Sequence, residues 1–437
     1  MKLKAFLLSW VFLFCPILAS PQPNPESRPH TSIVVKAGRL LDVRKGAYLE
    51  DAAIWIKGER VKEVGRSSEI ISHAPKEAKV IDLGNATVLP GLIDCHTHIM
   101  ARIADSDDGY ALALATKSQA FRALEGAFDA RLILNAGFTS VRDVESEGSG
   151  YADVALRDAI EQGLAEGPRM QVSTRGIAAV GQYEPFGISP DLTNFPTGAQ
   201  MVSGVEEARR AVREQIGHGA DLIKVYADWR NPTLTPEEIH VIVEEAHKQK
   251  RKVAAHATTP EGIKNAVMAG VDSIEHGHEV TTEDLELMKV HGTFLVPTLG
   301  VIDAFGEQHK DDPIPPEAQR RRDAFFQGLQ QEIQQAMKLG VKIALGFDAS
   351  APDRQGKSAD ELIALTKRGM TPAQAIQAAT VNAAELMGWQ DKVGALEAGM
   401  DADLIAVEGD PLKDITVLQR VKFVMKGGTV VKNTLSR

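Results

Sequence analysis

The chain has 437 residues, 43% apolar and 25% charged, which is enough to bury a large core and excludes a disordered or fibrous protein. A formal net charge of −10 offers no basic footprint for nucleic acid or an anionic membrane, so a small solute is the expected partner.

At the N-terminus, Lys2 and Lys4 precede an apolar run from Ala5 to Leu18 that ends in the small residues Ala19 and Ser20. This is the pattern of a secretory signal peptide over 1–19, and it predicts a secreted or periplasmic protein with no stable membrane insertion after cleavage. Cleavage would remove Cys15 and leave Cys95 alone, so no intramolecular disulfide is expected. Residues 20–30 form a Pro-rich linker.

Short alternating runs follow: SIVVKAGRLLD, AAIWIKGERVKEVG with Gly58 at a turn, and KVIDL. The same style returns near the C-terminus in ADLIAV and VKFVMKGGTVVK, where Gly427-Gly428 marks a hairpin. Residues 31–86 and 395–437 are therefore expected to pack as one composite β-sandwich.

Between them, over 87–394, apolar β-branched runs alternate with helical patterns. LPGLIDCHTHI, FTSVRDV, RMQVSTRG, LIKVYA, KVAAHA, SIEHG, FLVPTL and KIALGFDA make eight candidate strands. TPEEIHVIVEEAHKQK reads as a helix with Thr235 as its cap and Pro236 at its first position. The run RRRDAFFQGLQQEIQQAMKLG reads as an amphipathic outer helix. Strands buried on both faces and alternating with helices predict the α/β class, specifically a (β/α)8 barrel of the TIM type.

In such a barrel the chemistry sits at the carboxyl ends of the strands. His96 and His98, at i and i+2, share one face of their strand and can bind one cation together. His256, His276 and Asp348 also end their runs, and five such groups converging on one mouth point to a metal site. Lys224 is the unusual member, because an inward lysine costs desolvation unless it is paired. Near divalent cations its amine would be pushed towards the neutral form. A neutral amine can add carbon dioxide to give an anionic carbamate, an oxygen ligand able to bridge two metals.

Taken together and in order, LPGLIDCHTHI, TSVRDV, ADLIKVYA, AAHATTPEGI, AGVDSIEHG, GFDAS and GALEAGMDADLIAV resemble the amidohydrolase superfamily, in particular its imidazolonepropionase-like and Xaa-Pro dipeptidase-like branch. The resemblance implies two divalent metal ions, with zinc (Zn2+) the expected metal. It implies that His96, His98 and Asp348 hold the first, that His256 and His276 hold the second, and that carboxylated Lys224 bridges them. Water activated between the metals would be the nucleophile, and Asp348 would carry its proton to the leaving nitrogen, making Asp348 and Lys224 the catalytic pair. Two departures matter. Deaminases and imidazolonepropionases of the superfamily carry a Glu three residues after the strand-five histidine and lack the strand-four lysine, whereas Ala-Thr-Thr follows His256 here. Xaa-Pro dipeptidases often carry a Tyr two residues after that histidine, where this chain has Thr258.

Tyr226 on the neighbouring strand is a candidate replacement as a substrate contact, with a wall residue of the barrel mouth as the alternative reading. Arg142, Arg175 and Arg230 are candidate clamps for a substrate carboxylate, with an Arg142–Asp143 pair as the competing arrangement. His278 is expected on a solvated loop. Two long loops, after strands three and seven, could cover the mouth and carry specificity through Tyr183, Phe186 or Phe305, with packing of the loops onto the barrel as the alternative use of these aromatics. The expected function is an exported binuclear metal-dependent amidohydrolase that cleaves a C–N bond in a small substrate, a dipeptide or an N-acyl amino acid. A cyclic amide hydrolase and a non-catalytic metal-binding barrel are the alternatives. A homo-oligomer is expected.

Overall fold

The computed structural model describes residues 32–104, 109–183, 189, 191–192, 195–229 and 231–435. The expected signal segment and linker, Cys15, Phe186 and Arg230 lie outside the described residues.

Alternation of apolar and polar residues makes the first strands, β1 (Ser32–Asp42), β2 (Ala47–Lys57) and β3 (Arg60–Arg66), an antiparallel meander. Gly58, at φ 62°, supplies the left-handed backbone that the β2–β3 turn requires. β4 (Lys79–Asp82) and β5 (Thr87–Pro90) both run parallel to β1.

The barrel follows in two arcs. β6 (Leu92–Thr97), β7 (Phe138–Asp143) and β8 (Arg169–Val172) form one parallel sheet. The second contains β9 (Ile177–Ala179), β10 (Gln200–Val202), β11 (Leu222–Tyr226), β12 (Lys252–Ala257), β13 (Ser273–His276) and β14 (Phe294–Val296), in the order β10-β9-β11-β12-β13-β14. Backbone bonds link the arcs at both seams. Asp221 N–H donates to Val172 O at 2.8 Å, and the eighth expected run bridges β14 and β6 through Leu295↔Ile343 and Cys95 N–H to Leu345 O at 2.8 Å. The strand and helix order is that of a (β/α)8 barrel.

That eighth run makes a single bridge where a full strand was expected. Gly346 packs directly on β6, where a Cβ would lie 2.6 Å from His96 Cβ. The Asp94 carboxylate then takes the Phe347 N–H that a ladder would have used, at 3.1 Å.

β15 (Leu404–Val407), β16 (Phe423–Lys426) and β17 (Thr429–Asn433) bring the chain back to its N-terminal part, β15 pairing antiparallel with β5. The two ends share one eight-stranded sheet packed around Ile33, Val35, Ile54, Val88, Leu404 and Phe423. β5 was expected in the barrel but lies in this sheet between β1 and β15. The apolar run TVLPGLID spans two domains, and only Gly91 marks the crossing: a Cβ there would lie 2.0 Å from Thr139 Oγ1.

The helix at Pro236–Lys248 begins as expected, with a Thr235–Glu238 capping box. The outer helix spans Pro316–Leu339. Both long loops carry more structure than expected. β9 and β10 lie in the first, and a helix, Leu299–Gln308, fills half of the second. Among the described residues no helix is long and apolar enough to cross a membrane.

Candidate active site

The His-Thr-His end of β6 is fastened from both sides by buried carboxylates. Asp94 Oδ1 accepts the His96 N–H at 3.0 Å, and Asp143 Oδ1 accepts the Thr97 hydroxyl at 3.0 Å and the Ile99 N–H at 2.8 Å. His96 and His98 thereby turn their Nε2 atoms to a common point, 3.2 Å apart. Asp348 Oδ1 joins them, 3.1 Å from His98 Nε2 and 3.5 Å from His96 Nε2. One ligand atom from each of the three lies within 4.8 Å of the others, a spacing that suits one metal ion.

His256 and His276 close the other side. Their ring centroids are 4.5 Å apart, and His276 is 5.0 Å from His96. His276 and Asp348 both hold left-handed backbone, at φ 74° and 63°, as does Thr298 at 51°. Such conformations are rare outside glycine and cluster where a site is over-determined by its surroundings. Thr298 Oγ1 lies 2.8 Å from His276 Nδ1 and orients that ring.

Lys224 is 1% exposed and enters the same cavity from β11. Its Nζ stands 5.3 Å over the Tyr226 ring, and among the described residues no carboxylate is within ion-pair distance of it.

The electrostatics suit ligation by neutral nitrogen. Burial, then the Lys224 charge, pulls His96 down to about 4, and burial holds His256 and His276 well below the ordinary histidine range. Burial lowers Lys224 as well, favouring the free amine. His98 moves the other way: burial opposes its charge, but the Asp348 bond and the Glu147 charge lift it to about 9. For Asp348 burial is outweighed by His96 and His98, which hold its carboxyl far below the usual range. The cavity that these groups face has a volume of about 340 Å³, and its far wall is aromatic: Tyr110, Tyr183, Tyr226 and Trp229.

A model described as the amidohydrolase family matches residues 87–431. The chain belongs to this family. Its relatives include ochratoxinase of Aspergillus niger, 35% identical over 91% of this chain and 86% of that one. The crystal structure of A. niger ochratoxinase superposes with a TM-score of 0.82 at 32% identity, over 92% of this chain and 96% of that chain. A Xaa-Pro dipeptidase with bound methionine in its active site gives a TM-score of 0.81 at 33% identity, covering 92% of this chain and all of that chain, 100%. An imidazolonepropionase of Brevibacillus brevis is 24% identical over 88% of this chain and 91% of its own.

Within this amidohydrolase the six residues expected to hold metal, His96, His98, Lys224, His256, His276 and Asp348, all line one cavity. Of the arginines expected as substrate clamps, the two described ones, Arg142 and Arg175, do not. Arg142 is 2% exposed and spends its donors beneath the cavity, on Cys95 O at 2.6 Å, Ser273 Oγ at 3.0 Å and Glu275 Oε1 at 2.7 Å. Nor does it pair with Asp143, which holds the β6 turn. Arg175 donates to Ala199 O at 2.8 Å and serves the loop that carries β10. Tyr226 does line the cavity, with its hydroxyl donated to Glu145. Thr258 is turned away, its hydroxyl 3.2 Å from Asp228 Oδ1.

His278 is half-buried against Phe325, ring centroids 5.7 Å apart, where a solvated loop residue was expected. Phe305 is 49% exposed on its helix and packs on His309, while Tyr183 is set into the cavity wall 4.4 Å from the Tyr226 ring. The sequence reading missed Glu145, Glu147, Glu275 and Trp229. The paired acids of VESEG just after a strand end, and the Glu that precedes His276, were the available signals.

Proposed function

We propose that this amidohydrolase holds two divalent cations, zinc the expected identity, and hydrolyses the C–N bond of a small exported-compartment substrate, a dipeptide or an N-acyl amino acid. The observation that carries this reading is Lys224. Its buried amine faces the cavity with no carboxylate among the described residues in ion-pair distance, beside four histidines and an aspartate. Carboxylation would turn this cost into a bridging anion. His96, His98 and Asp348 would hold one cation and His256 and His276 the other, with Lys224 between them.

When bound, the cations polarise a carbonyl and bring the pKa of water close to neutrality. The chain's own residues do the rest. Asp348, kept ionised by its two histidines, would take a proton at Oδ1 or Oδ2 and deliver it to the leaving nitrogen. The aromatic wall offers apolar faces to a substrate side chain. The relative named a Xaa-Pro dipeptidase supports a dipeptide. The N-terminal segment supports export.

The test is metal content together with hydrolysis of a panel of dipeptides and N-acyl amino acids, before and after chelation and with zinc, manganese or cobalt restored. Release of free amino acid by protein holding about two metals per chain is the expected result. Two metals with no cleavage across the panel would redirect the substrate to a cyclic amide. Well under one metal per chain would sink the hydrolase.

A further inference from the structure

We propose that the cavity contains a subsite for a substrate ammonium group, formed by Glu147 with Glu145 behind it, so that the enzyme selects substrates carrying a free amine; this rests on the reading of the cavity as the site of amide hydrolysis. Glu147 lines the cavity and is only 6% exposed. Its Oε2 accepts the Tyr183 hydroxyl at 3.3 Å, and its Oε1 stands 3.1 Å from His98 Nδ1. Glu145 is fully buried, at 0% exposure, and accepts the Tyr226 hydroxyl on Oε2. Among the described residues its Oε1 has no hydrogen-bond partner within bonding geometry, and neither has the hydroxyl of Tyr110 in the cavity wall.

These two orphan atoms meet at Gly198, where a Cβ would lie 2.0 Å from Tyr110 Oη and 2.9 Å from Glu145 Oε1. Gly176 clears the other side, where a Cβ would be 3.0 Å from Glu145 Oε2. The backbone makes room for acid and phenol together. Among the described residues neither glutamate has a lysine or arginine within ion-pair distance. Among the described residues His98, 3.1 Å from Glu147, is the one cationic group within ion-pair distance of the two buried acids, and an ammonium bound beside them would supply the counter-charge that Glu145 lacks. Glu147 also holds left-handed backbone, at φ 50°, a strain of the kind retained at binding sites.

The aromatic surroundings point the same way, because ring faces attract an ammonium. Tyr183 packs 4.4 Å from Tyr226 and 5.4 Å from Trp229. With Arg142 and Arg175 both engaged elsewhere, the described residues of the cavity wall present acids and phenols. It recognises the amine end of its substrate.

The experiment compares kcat and KM for alanyl-leucine, its des-amino analogue propionyl-leucine, and N-acetyl-lysyl-leucine, in the wild type and in Glu147→Gln, each normalised to bound metal. The wild type is expected to favour alanyl-leucine over propionyl-leucine by about ten- to hundredfold, mostly through KM, and Glu147→Gln to erase that preference. Preference for N-acetyl-lysyl-leucine instead would identify the ammonium as that of a side chain on the same subsite. Equal kcat/KM for alanyl-leucine and propionyl-leucine in the wild type overturns the subsite and leaves the hydrolase standing. So does an equal fall for both compounds in Glu147→Gln, the mark of a residue that merely steadies His98. Cleavage of none of the three by metal-loaded protein overturns the subsite and moves the substrate away from dipeptides and N-acyl amino acids. The wild-type comparison decides even if the variant does not fold.

Discussion

Glu275 Oε2 lies 2.7 Å from His96 Nδ1. Its other oxygen accepts from Arg142, so one buried carboxylate joins a structural cation to a cavity-facing imidazole. Despite its burial, Arg142 and His96 bring Glu275 down to about 2, and it stays ionised. The contact leaves His96 Nε2 facing the cavity. Replacing Glu275 with Gln should lower metal affinity or turnover by about ten- to hundredfold, since the partner that orients the ring loses its charge. Chelator competition and kcat on metal-saturated protein measure the two effects separately, and wild-type values in both would remove Glu275 from the machinery.

Lys224→Ala should lose most activity and part of the metal, because a neutral side chain at this position cannot bridge the cations. Metal analysis beside the amide panel checks this. Near-normal turnover would eliminate the carbamate.

Asp348→Asn should fold and bind substrate yet turn over about a hundred to ten thousand times more slowly, the range expected when a proton carrier is removed. Substrate binding is measured directly and turnover under saturation. Full activity would assign the proton to another group.

Gly91→Ala should cost about 1–3 kcal/mol, the usual range for overpacking, because the new Cβ meets Thr139 where the chain crosses from sheet to barrel. Urea unfolding reads this out, and an unchanged midpoint would mean that the crossing yields freely.

Glu361 is fully buried, at 0% exposure, and burial pushes its carboxyl up to about 8, although it accepts the Gly300 N–H. The unfolded chain releases this proton near the ordinary glutamate value, whereas the folded chain keeps it to about 8. Folding therefore binds a proton across that window, and stability falls as pH rises through it. Glu361→Gln keeps the acceptor and cannot ionise, so its Tm should fall less than the wild-type Tm between pH 5 and pH 8. Parallel Tm curves would show that Glu361 does not titrate there.

Much of the site was legible in the chain because period-two geometry puts His96 and His98 on one face, and because a parallel barrel gathers its strand ends. Lys224, His256, His276 and Asp348 met in one cavity for that reason. The composite domain was legible from the matching style of the two termini, but its edge was not. Thr87–Pro90 reads as one apolar run with the strand that follows.

The sequence by itself determined which residues face inward and at which end of the barrel, since alternation and strand polarity are local properties of the backbone. Only the tertiary structure decided what each of them meets. Arg142 finds Glu275, 133 positions away, and not its neighbour Asp143. Tyr226 finds Glu145 across the cavity wall, and Gly176 and Gly198 open the space for that pair. Such meetings depend on strand register and on how closely backbones approach, and both are set by packing around the closed ring of strands.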